Sequence, residues 1–380
     1  MSAIRDFGFS EQEQMLRDSA RKLFEDHLPT EKLHKLVASE PEKVSQPQCL
    51  WDKSLWKKMT DLGWIMAVMP ERVGGLGMNF SAAVGLAEEV GRAACPSPLL
   101  STMASCCVLN ACHSPKADEV LIRIAQGCSA ALVVADCRGS WEVTDSDVNE
   151  ERGLLNGTAW YVQDAQKADV FLVKAHSASG INLFLVEAES EGFEIVADNL
   201  ADLSRDQAHI KFNDVSAQYL LCEQGKGAEV LAVSEPEILT LLAADMCGAA
   251  EWQLQTTADY ARIREQFNRP IGFFQSVKHP LVDLMSMIDC ARSHTYNAAA
   301  AISFDRPNAE LYARMAKSAA SDAAAYACSR SLQFHGGIGF TWECFVHIYF
   351  KRQKHSQMLM GDGIYHRRKL ADMLIGPVAA

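Results

Sequence analysis

The sequence predicts a multidomain α+β protein. An N-terminal α-helical domain is expected over residues 1–126, a middle antiparallel β-barrel or sandwich domain over 127–226, and a C-terminal four-helix bundle over 227–380. Three observations carry this. Apolar residues recur at helical spacing up to about Gln126. From about Ser129 the pattern changes to short β-branched or aromatic runs at roughly ten-residue spacing. After Gly227, long alanine-rich helical segments return and stay. Helices, then strands, then helices describe separate layers rather than a βαβ sheet. No GxGxxG follows a strand, so nothing supports a Rossmann nucleotide site.

SEQEQMLRDSARKLFEDHL opens with Ser10 and, three residues on, Glu13: a capping box. Met15, Ala20, Leu23, Phe24 and Leu28 follow at helical spacing. WDKSLWKKMTDLGW is amphipathic and stops at Gly63. MPERVGGLGMN is a turn-rich loop, after which SAAVGLAEEVGRAA resumes a helix with Ser81 as its cap. ALVVAD, GLLNGTAWYV, ADVFLVKAH, INLFLVEA, FEIVAD and AHIKFNDV then read as strands between Gly, Asn, Asp and Ser punctuation. In the last third, alanines with Met, Leu and Cys interleaved fit closely packed helices.

With 380 residues, 48% of them hydrophobic, the chain can bury a large core without disulfides. The net charge of −12 argues against nucleic acid or anionic membrane as partner. No apolar run approaches the ~18 residues of a membrane span. The opening MSAIRDFGF shows no basic-then-apolar leader, so no secretory signal is visible. None of the twelve cysteines has CxxC spacing, and reduced thiols in a cytoplasm are the expected state. No His or Cys near His335 has metal-ligand spacing, and no metal is expected.

Three stretches then speak together. YARIREQFNRPIGFFQSVKHPLVDL is similar to the R-x-x-F-G-x-x-I-x-x-F-Q segment of acyl-CoA dehydrogenases. SLQFHGGIGFTWE resembles their Q-x-x-G-G-x-G-F-x-x-E segment, and MPERVGGLGMN their N-terminal P-E-x-x-G-G-x-G loop. The resemblance spans essentially the whole chain. It implies FAD as cofactor and oxidation of an acyl-CoA thioester to its 2,3-enoyl product. A base removes the α proton while the flavin accepts hydride from the β carbon. An α C–H is acidic only when the thioester carbonyl is polarised in a dry site, and the hydride chemistry belongs to the flavin.

The resemblance also implies site residues. Arg264 and Phe267 would touch the flavin's pyrophosphate and adenine side across a subunit boundary, with Gln275 nearby. An arginine suits bidentate phosphate binding, and an ordinary helix-end arginine is the plain alternative. Asn268 stands where the family usually has Gly, and Asn tolerates left-handed backbone. Gln333, Gly336 and Gly337 match the segment that brings backbone close to a neighbouring subunit's dinucleotide, a helix C-cap being the alternative. Trp160 would cover the flavin ring, and Val162 falls where backbone meets its reactive face, replacing a Thr hydroxyl. A core tryptophan is the alternative there.

Departures concentrate on the chemistry. The family's C-terminal catalytic Glu aligns with Met360, which cannot accept a proton. Asp362 lies two residues on, which in extended chain moves the group about 6.6 Å. The alternative base position, on the long helix, falls on Ile238-Leu239. Glu235 and Glu237 nearby read as first-turn carboxylates favoured by the helix dipole. The family's T-E-P-x-A-G-S-D cradle corresponds to ALVVADCRGSWEVTDSD, where only Asp136 and Gly139 match. No catalytic residue is therefore expected in this chain. Intact cross-subunit segments with a degenerate own site imply a hetero-oligomer, α2β2, whose paralogous subunit supplies the carboxylate. Bacterial relatives acting on bulky, steroid-type acyl-CoAs are built this way. The family's usual electron acceptor is an electron-transfer flavoprotein. A self-sufficient enzyme using Asp362, a flavin-free acyl-CoA-binding scaffold and a flavin monooxygenase of the same fold are the other readings.

Overall fold

The computed structural model describes residues 9–38, 47 and 49–376. Helix α1 (Glu11–His27) begins with the expected capping box. Ser10 Oγ accepts the Glu13 N–H at 3.3 Å, and Glu13 Oε2 accepts the Ser10 N–H at 2.7 Å. Ala20, Phe24 and Leu28 are buried as the spacing requires, whereas Met15 is exposed. After α2 (Thr30–Ala38), helix α3 (Lys53–Asp61) ends just before Gly63, whose φ of 73° is the left-handed geometry that stops a helix. Helix α4 (Phe80–Arg92) corrects the expected cap. It starts before Ser81, with Asn79 at the N-cap, and the Ser81 hydroxyl donates to Glu13 Oε1 at 2.6 Å instead. Helices α5 (Leu99–Cys112) and α6 (Pro115–Ala125) complete the N-terminal run.

Strands follow where the period changed: β1 (Ala130–Val133), β2 (Val148–Glu151), β3 (Leu154–Gln163), β4 (Val170–Ser177), β5 (Gly180–Glu187), β6 (Phe193–Ala197), β7 (Gln207–Ser216) and β8 (Tyr219–Leu220). They form one sheet in the order β6-β7-β3-β2-β4-β5-β8, with β1 beside β4. Pairing is antiparallel except at β4, where β1 runs parallel from Ala130↔Val170 to Val133↔Val173 and β2 adds a single parallel pair. The expected all-antiparallel pattern is corrected there. Residues 134–169 loop out through β2 and β3 before returning, which supplies the long crossover that parallel neighbours need. The sheet's core gathers Leu155, Val162, Phe171, Val173, Ile210 and Phe212.

The C-terminal part comprises α7 (Gly227–Ile263), a hairpin of β9 (Glu265–Gln266) and β10 (Arg269–Pro270), α8 (Gln275–Phe304), α9 (Ala309–His335), α10 (Val346–Met358) and α11 (Gly363–Ile375). Since α7 starts at Gly227, Glu235 and Glu237 lie about two turns inside it and are not first-turn carboxylates. Ser234 beside them bonds back to the Val230 carbonyl at 3.0 Å, and Pro236 within the helix has no N–H to donate. Buried alanines of α8 and α9, among them Ala291, Ala298, Ala316, Ala320 and Ala324, pack against Leu239–Ala250 of α7.

The described residues fall into two compact units. One lies within Met1–Ser39, Asn79–Cys95 and Leu239–Ala380, the other within Glu40–Met78 and Pro96–Ile238. In the first, α4 and α7 touch backbone to backbone. A Cβ on Gly91 would lie 1.9 Å from the Asp245 carbonyl oxygen, and one on Gly248 would lie 1.8 Å from that of Glu88. Buried carboxylates flank this crossing, each held by cations. Glu88 accepts from Arg292 Nε at 2.8 Å and Tyr296 Oη at 2.6 Å, and Glu89 from Arg21 Nη2 at 2.8 Å. Asp245 accepts from Arg352 Nη2 at 2.5 Å. Burial of these charges is sustained by the pairing.

Candidate functional site

The Tyr260–Leu284 segment leaves α7 and folds into an exposed arm. The Ile271 N–H donates to the Arg264 carbonyl at 2.8 Å, and Gln266 pairs with Arg269 across the hairpin. Phe267 and Asn268 are its two-residue turn, with φ of 55° and 58°, the pair of left-handed residues that a type I′ turn demands. Asparagine is the one non-glycine type well suited to this, so the turn keeps its shape without the family's Gly. Phe267 is an aromatic in the same geometry, at a cost of roughly 1–2 kcal/mol, and its side chain is 86% exposed. Its ring meets Phe274 edge-on at 6.0 Å, and Arg269 lies over Phe273 at 4.3 Å. Arg264 and Gln275 are exposed, and the Arg264 guanidinium has no ion-pair partner among the described residues. Phe267 thus combines a left-handed backbone with an exposed ring.

The second motif comes to the same end of the bundle. The Tyr260 ring stacks on His335 at 4.3 Å, and the Gln253 amide donates to Ser331 Oγ at 3.0 Å. His335 is buried, and desolvation keeps its pKa below the usual histidine range despite a 2.8 Å contact of Nδ1 with the Ser331 carbonyl. It is a packing residue, and no cluster of three or more potential metal ligands occurs among the described residues. Gln333 is exposed on the last turn of α9. Gly336 caps the helix with φ 63° and ψ −143°, a region open essentially to glycine alone. Gly337 is different. Its φ is not left-handed, and a Cβ there would meet nothing within 4 Å. Neither the local backbone nor any neighbour among the described residues requires glycine at 337. Exposed backbone at Gly337 on one segment and the exposed Arg264 guanidinium on the other are chemically suited to a dinucleotide's phosphates. Exposed Ile263, Phe273, Ile338 and Phe340 belong to the same two segments.

The QMLMGDG stretch forms the turn between α10 and α11. Met360 and Gly361 are left-handed, at φ 56° and 93°. Asp362 is the N-cap of α11, its carboxylate accepting the Tyr365 N–H at 2.8 Å. Beneath the turn lies Lys317, which sequence reasoning passed over as one more residue of an alanine-rich helix. It is fully buried, and its Nζ donates to the carbonyls of Gly361 at 2.7 Å, Gln357 at 3.1 Å and Ser356 at 3.4 Å. Burial lowers its pKa to about 7, with the Asp362 carboxylate partly opposing. Burial and the cations Lys317 and Arg314 likewise push His366 down to about 3.

A pH dependence follows. In the unfolded chain a lysine holds its proton up to about 10.4, so between pH 7 and 10 the unfolded state binds more protons at this position. Lys317 therefore contributes a term that increases stability as pH rises through that window and is flat below it. In thermal melts across pH 6–10, the difference between wild type and Lys317→Met is expected to be constant below about pH 7 and to shift in favour of wild type as pH rises toward 10. Parallel curves would refute the assignment.

In the second unit, Trp160 is half-buried and stacks on His209 at 5.0 Å, whose Nδ1 lies 3.0 Å from Asp198 Oδ1. Between Ala159 and Val162 the β3–β7 register slips, and Tyr161 sits in the bulge at φ 57°. The slip turns the Val162 side chain into the sheet core, leaving only its backbone for any other role. Tyr161, unflagged by any motif, is the residue displayed; its hydroxyl donates to the Cys137 carbonyl at 3.3 Å. In the shortened loop Asp136 is committed internally. Burial alone would raise its pKa, but the Ser140 N–H at 2.8 Å and the Arg138 side chain and N–H outweigh this and hold it low.

Residues 10–127 match the model of the acyl-CoA dehydrogenase N-terminal domain, and residues 240–375 that of the C-terminal domain. The chain is 31% identical over 353 residues to acyl-CoA dehydrogenase IpdE2 of Mycobacterium tuberculosis, covering 92% of this chain and 93% of that protein. The chain belongs to the acyl-CoA dehydrogenase family. Membership makes this acyl-CoA dehydrogenase an oxidoreductase of the CH–CH class with FAD as its cofactor. Its fold is that of the Tcur3481–Tcur3483 steroid ACAD, at 26% identity and a TM-score of 0.84, over 96% of this chain and 98% of that one. It also matches the ChsE4–ChsE5 complex of Mycobacterium tuberculosis, at 25% identity and a TM-score of 0.85, over 98% of this chain and 100% of that one. Among the described residues, no helix is long and apolar enough to cross a membrane.

Proposed function

We propose that this chain is the non-catalytic subunit of a cytoplasmic, hetero-oligomeric acyl-CoA dehydrogenase, α2β2 in form. The enzyme introduces the 2,3 double bond into a bulky, steroid-type acyl-CoA, and a paralogous subunit contributes the base. One observation carries the reading: Met360 stands at the base position while the neighbouring carboxylate, Asp362, is engaged as the cap of α11. The cap holds the Asp362 carboxylate against the first turn of α11, which argues against it as a self-sufficient base. The likeness to a steroid ACAD and to the two-component ChsE4–ChsE5 complex supports the substrate class and the pairing.

FAD, when bound, accepts hydride from the β carbon. In this reading Arg264, Phe267, Gln275, Gln333, Gly336 and Gly337 clasp the cofactor of a neighbouring subunit. The guanidinium takes the pyrophosphate, and the bare backbone at Gly337 lets the dinucleotide approach. Trp160 and the Val162 backbone face the chain's own flavin position. Electrons leave to an electron-transfer flavoprotein. The domain limits stay at 1–126, 127–226 and 227–380.

Gly337→Ala is expected to leave stability within about 0.5 kcal/mol of wild type, as for a surface change, while lowering FAD content of the assembled oligomer. Unchanged flavin would remove Gly337 from the site. The decisive experiment purifies the chain with and without the product of its neighbouring paralogous gene and measures native mass and FAD per chain. A fully flavinated homotetramer of this chain that desaturates acyl-CoA would overturn the proposal.

A further inference from the structure

Arg17 and Arg21 lie one turn apart on α1, so their side chains leave the same face of the helix. One buried acid fastens both. Arg17 Nε lies 3.3 Å and Arg21 Nη2 2.8 Å from the same oxygen, Glu89 Oε1, and Arg21 Nε reaches Glu89 Oε2 at 3.2 Å. Glu88 draws in a third guanidinium, with Arg17 Nη2 at 3.4 Å and Arg292 Nε at 2.8 Å from its Oε1. These buried carboxylates engage the inner edges of the arginines. The outer edges differ. Nη1 of Arg17 and Nη1 of Arg21 make no hydrogen bond or ion pair among the described residues, and both side chains line an open cavity of about 420 Å³. Arg92 joins the group, so four guanidiniums face Glu88, Glu89 and Glu251. The only further acid paired with them is the exposed Asp289, 3.4 Å from Arg292 Nη1. Positive charge is thus gathered at one place in a chain of net charge −12. Arg21 also borders a second hollow of about 240 Å³, walled in part by Phe24, Leu28 and Trp252, the last stacked on Tyr349 at 3.7 Å.

We propose that Arg17 and Arg21 form a binding site for a small organic carboxylate that carries an apolar body. The two outward Nη1 groups donate to the carboxylate oxygens, and the body lies in the hollow on the other side of Arg21. A guanidinium edge matches the plane of a carboxylate, and charge-assisted hydrogen bonds of this kind are among the strong ones. Glu251 already shows the cluster accepting a carboxylate from a half-exposed position, bridging Arg92 and Arg292. Because Glu88 and Glu89 hold the arginines in place beforehand, little side-chain freedom is lost when a ligand arrives. The apolar wall beside the charged seat favours an organic acid over an inorganic anion, which has nothing to place against it.

The test uses octanoate as probe. The FAD-loaded protein is treated with phenylglyoxal, which modifies accessible guanidiniums, and the adducts are mapped by mass spectrometry. Octanoate at ten times its half-protecting concentration is expected to slow modification of Arg17 and Arg21 about tenfold, as mass action requires. The exposed Arg138 and Arg262, outside the cavity, react as before. Octanol and octylamine, which lack the carboxylate, protect neither residue. Acetate, which lacks the apolar body, needs at least about tenfold more to protect. In Arg21→Gln, Glu89 keeps Arg17 and Arg92 as partners, and the half-protecting concentration at Arg17 is expected to rise at least about tenfold with the loss of one charged hydrogen bond. Modification of Arg17 and Arg21 that octanoate does not slow overturns the proposal. So does protection that octylamine, or sodium chloride at equal concentration, reproduces, or that acetate matches. These wild-type outcomes decide it even if the variant fails to fold.

Discussion

Gly248→Ala is expected to destabilise the protein by on the order of 5 kcal/mol, summing overpacking with loss of a buried ion pair. That is enough to drop its thermal midpoint by about 6 °C, or to prevent soluble expression. The new methyl carbon would sit 1.8 Å from the Glu88 carbonyl oxygen, which is backbone on a buried helix and cannot rotate away. Relief requires α4 and α7 to separate, and separation pulls on Glu88, held by Arg292 and Tyr296, and on Asp245, held by Arg352. Alanine's better helix propensity returns only about 1 kcal/mol. Gly91→Ala makes the mirror-image clash with Asp245 and is expected to cost as much. Gly85→Ala, on the same helix, would find its nearest neighbour at an ordinary 3.4 Å and serves as the mild control. A Gly248→Ala protein melting within about 1 °C of wild type, roughly 1 kcal/mol at this chain size, would show that the helices do not cross so closely.

Met360→Glu is expected to restore proton abstraction. A correctly placed general base contributes about 10²- to 10⁴-fold, so the variant with FAD bound is expected to exchange the C2 hydrogen of an acyl-CoA at least about 100-fold faster than wild type. The backbone already holds φ 56° at this position, so the substitution adds no new strain of that kind, and the turn stays anchored by the Lys317 ammonium. Met360→Gln, isosteric and without a base, is the control. Loss of label from a 2-deuterated acyl-CoA and bleaching of the flavin read the two halves of the reaction separately. Exchange no faster than wild type, with acyl-CoA binding intact, would mean that residue 360 does not face the substrate.

Several local features were legible in the residues. The Ser10–Glu13 box, the stop at Gly63 and the tolerance of Asn268 for a left-handed turn each depend on a few adjacent residues and on backbone sterics. Helix boundaries were less so. Ser81 looks like a cap by type, but its hydroxyl is taken by Glu13 from another helix. Glu235 and Glu237 look like first-turn acids because nothing in their neighbourhood announces that α7 begins at Gly227. The parallel placement of β1 on β4 was illegible for the same reason: strand pairing joins segments separated by a whole crossover. That Glu88 and Glu89 are buried was likewise illegible, because the arginines that neutralise them come largely from α1 and α8.

The residues in order determined the succession of helices, strands and helices, and the motifs that mark the family, since propensity, periodicity and turn chemistry act within a dozen positions. Tertiary structure alone decided that Gly91 and Gly248 face each other's helices, that Lys317 lies under the turn carrying Met360, and that Asp362 caps α11. Only it shows that no described residue fills the space beside Gly337. Each of these is a matter of which distant groups share a few ångströms, and that depends on how the whole chain packs.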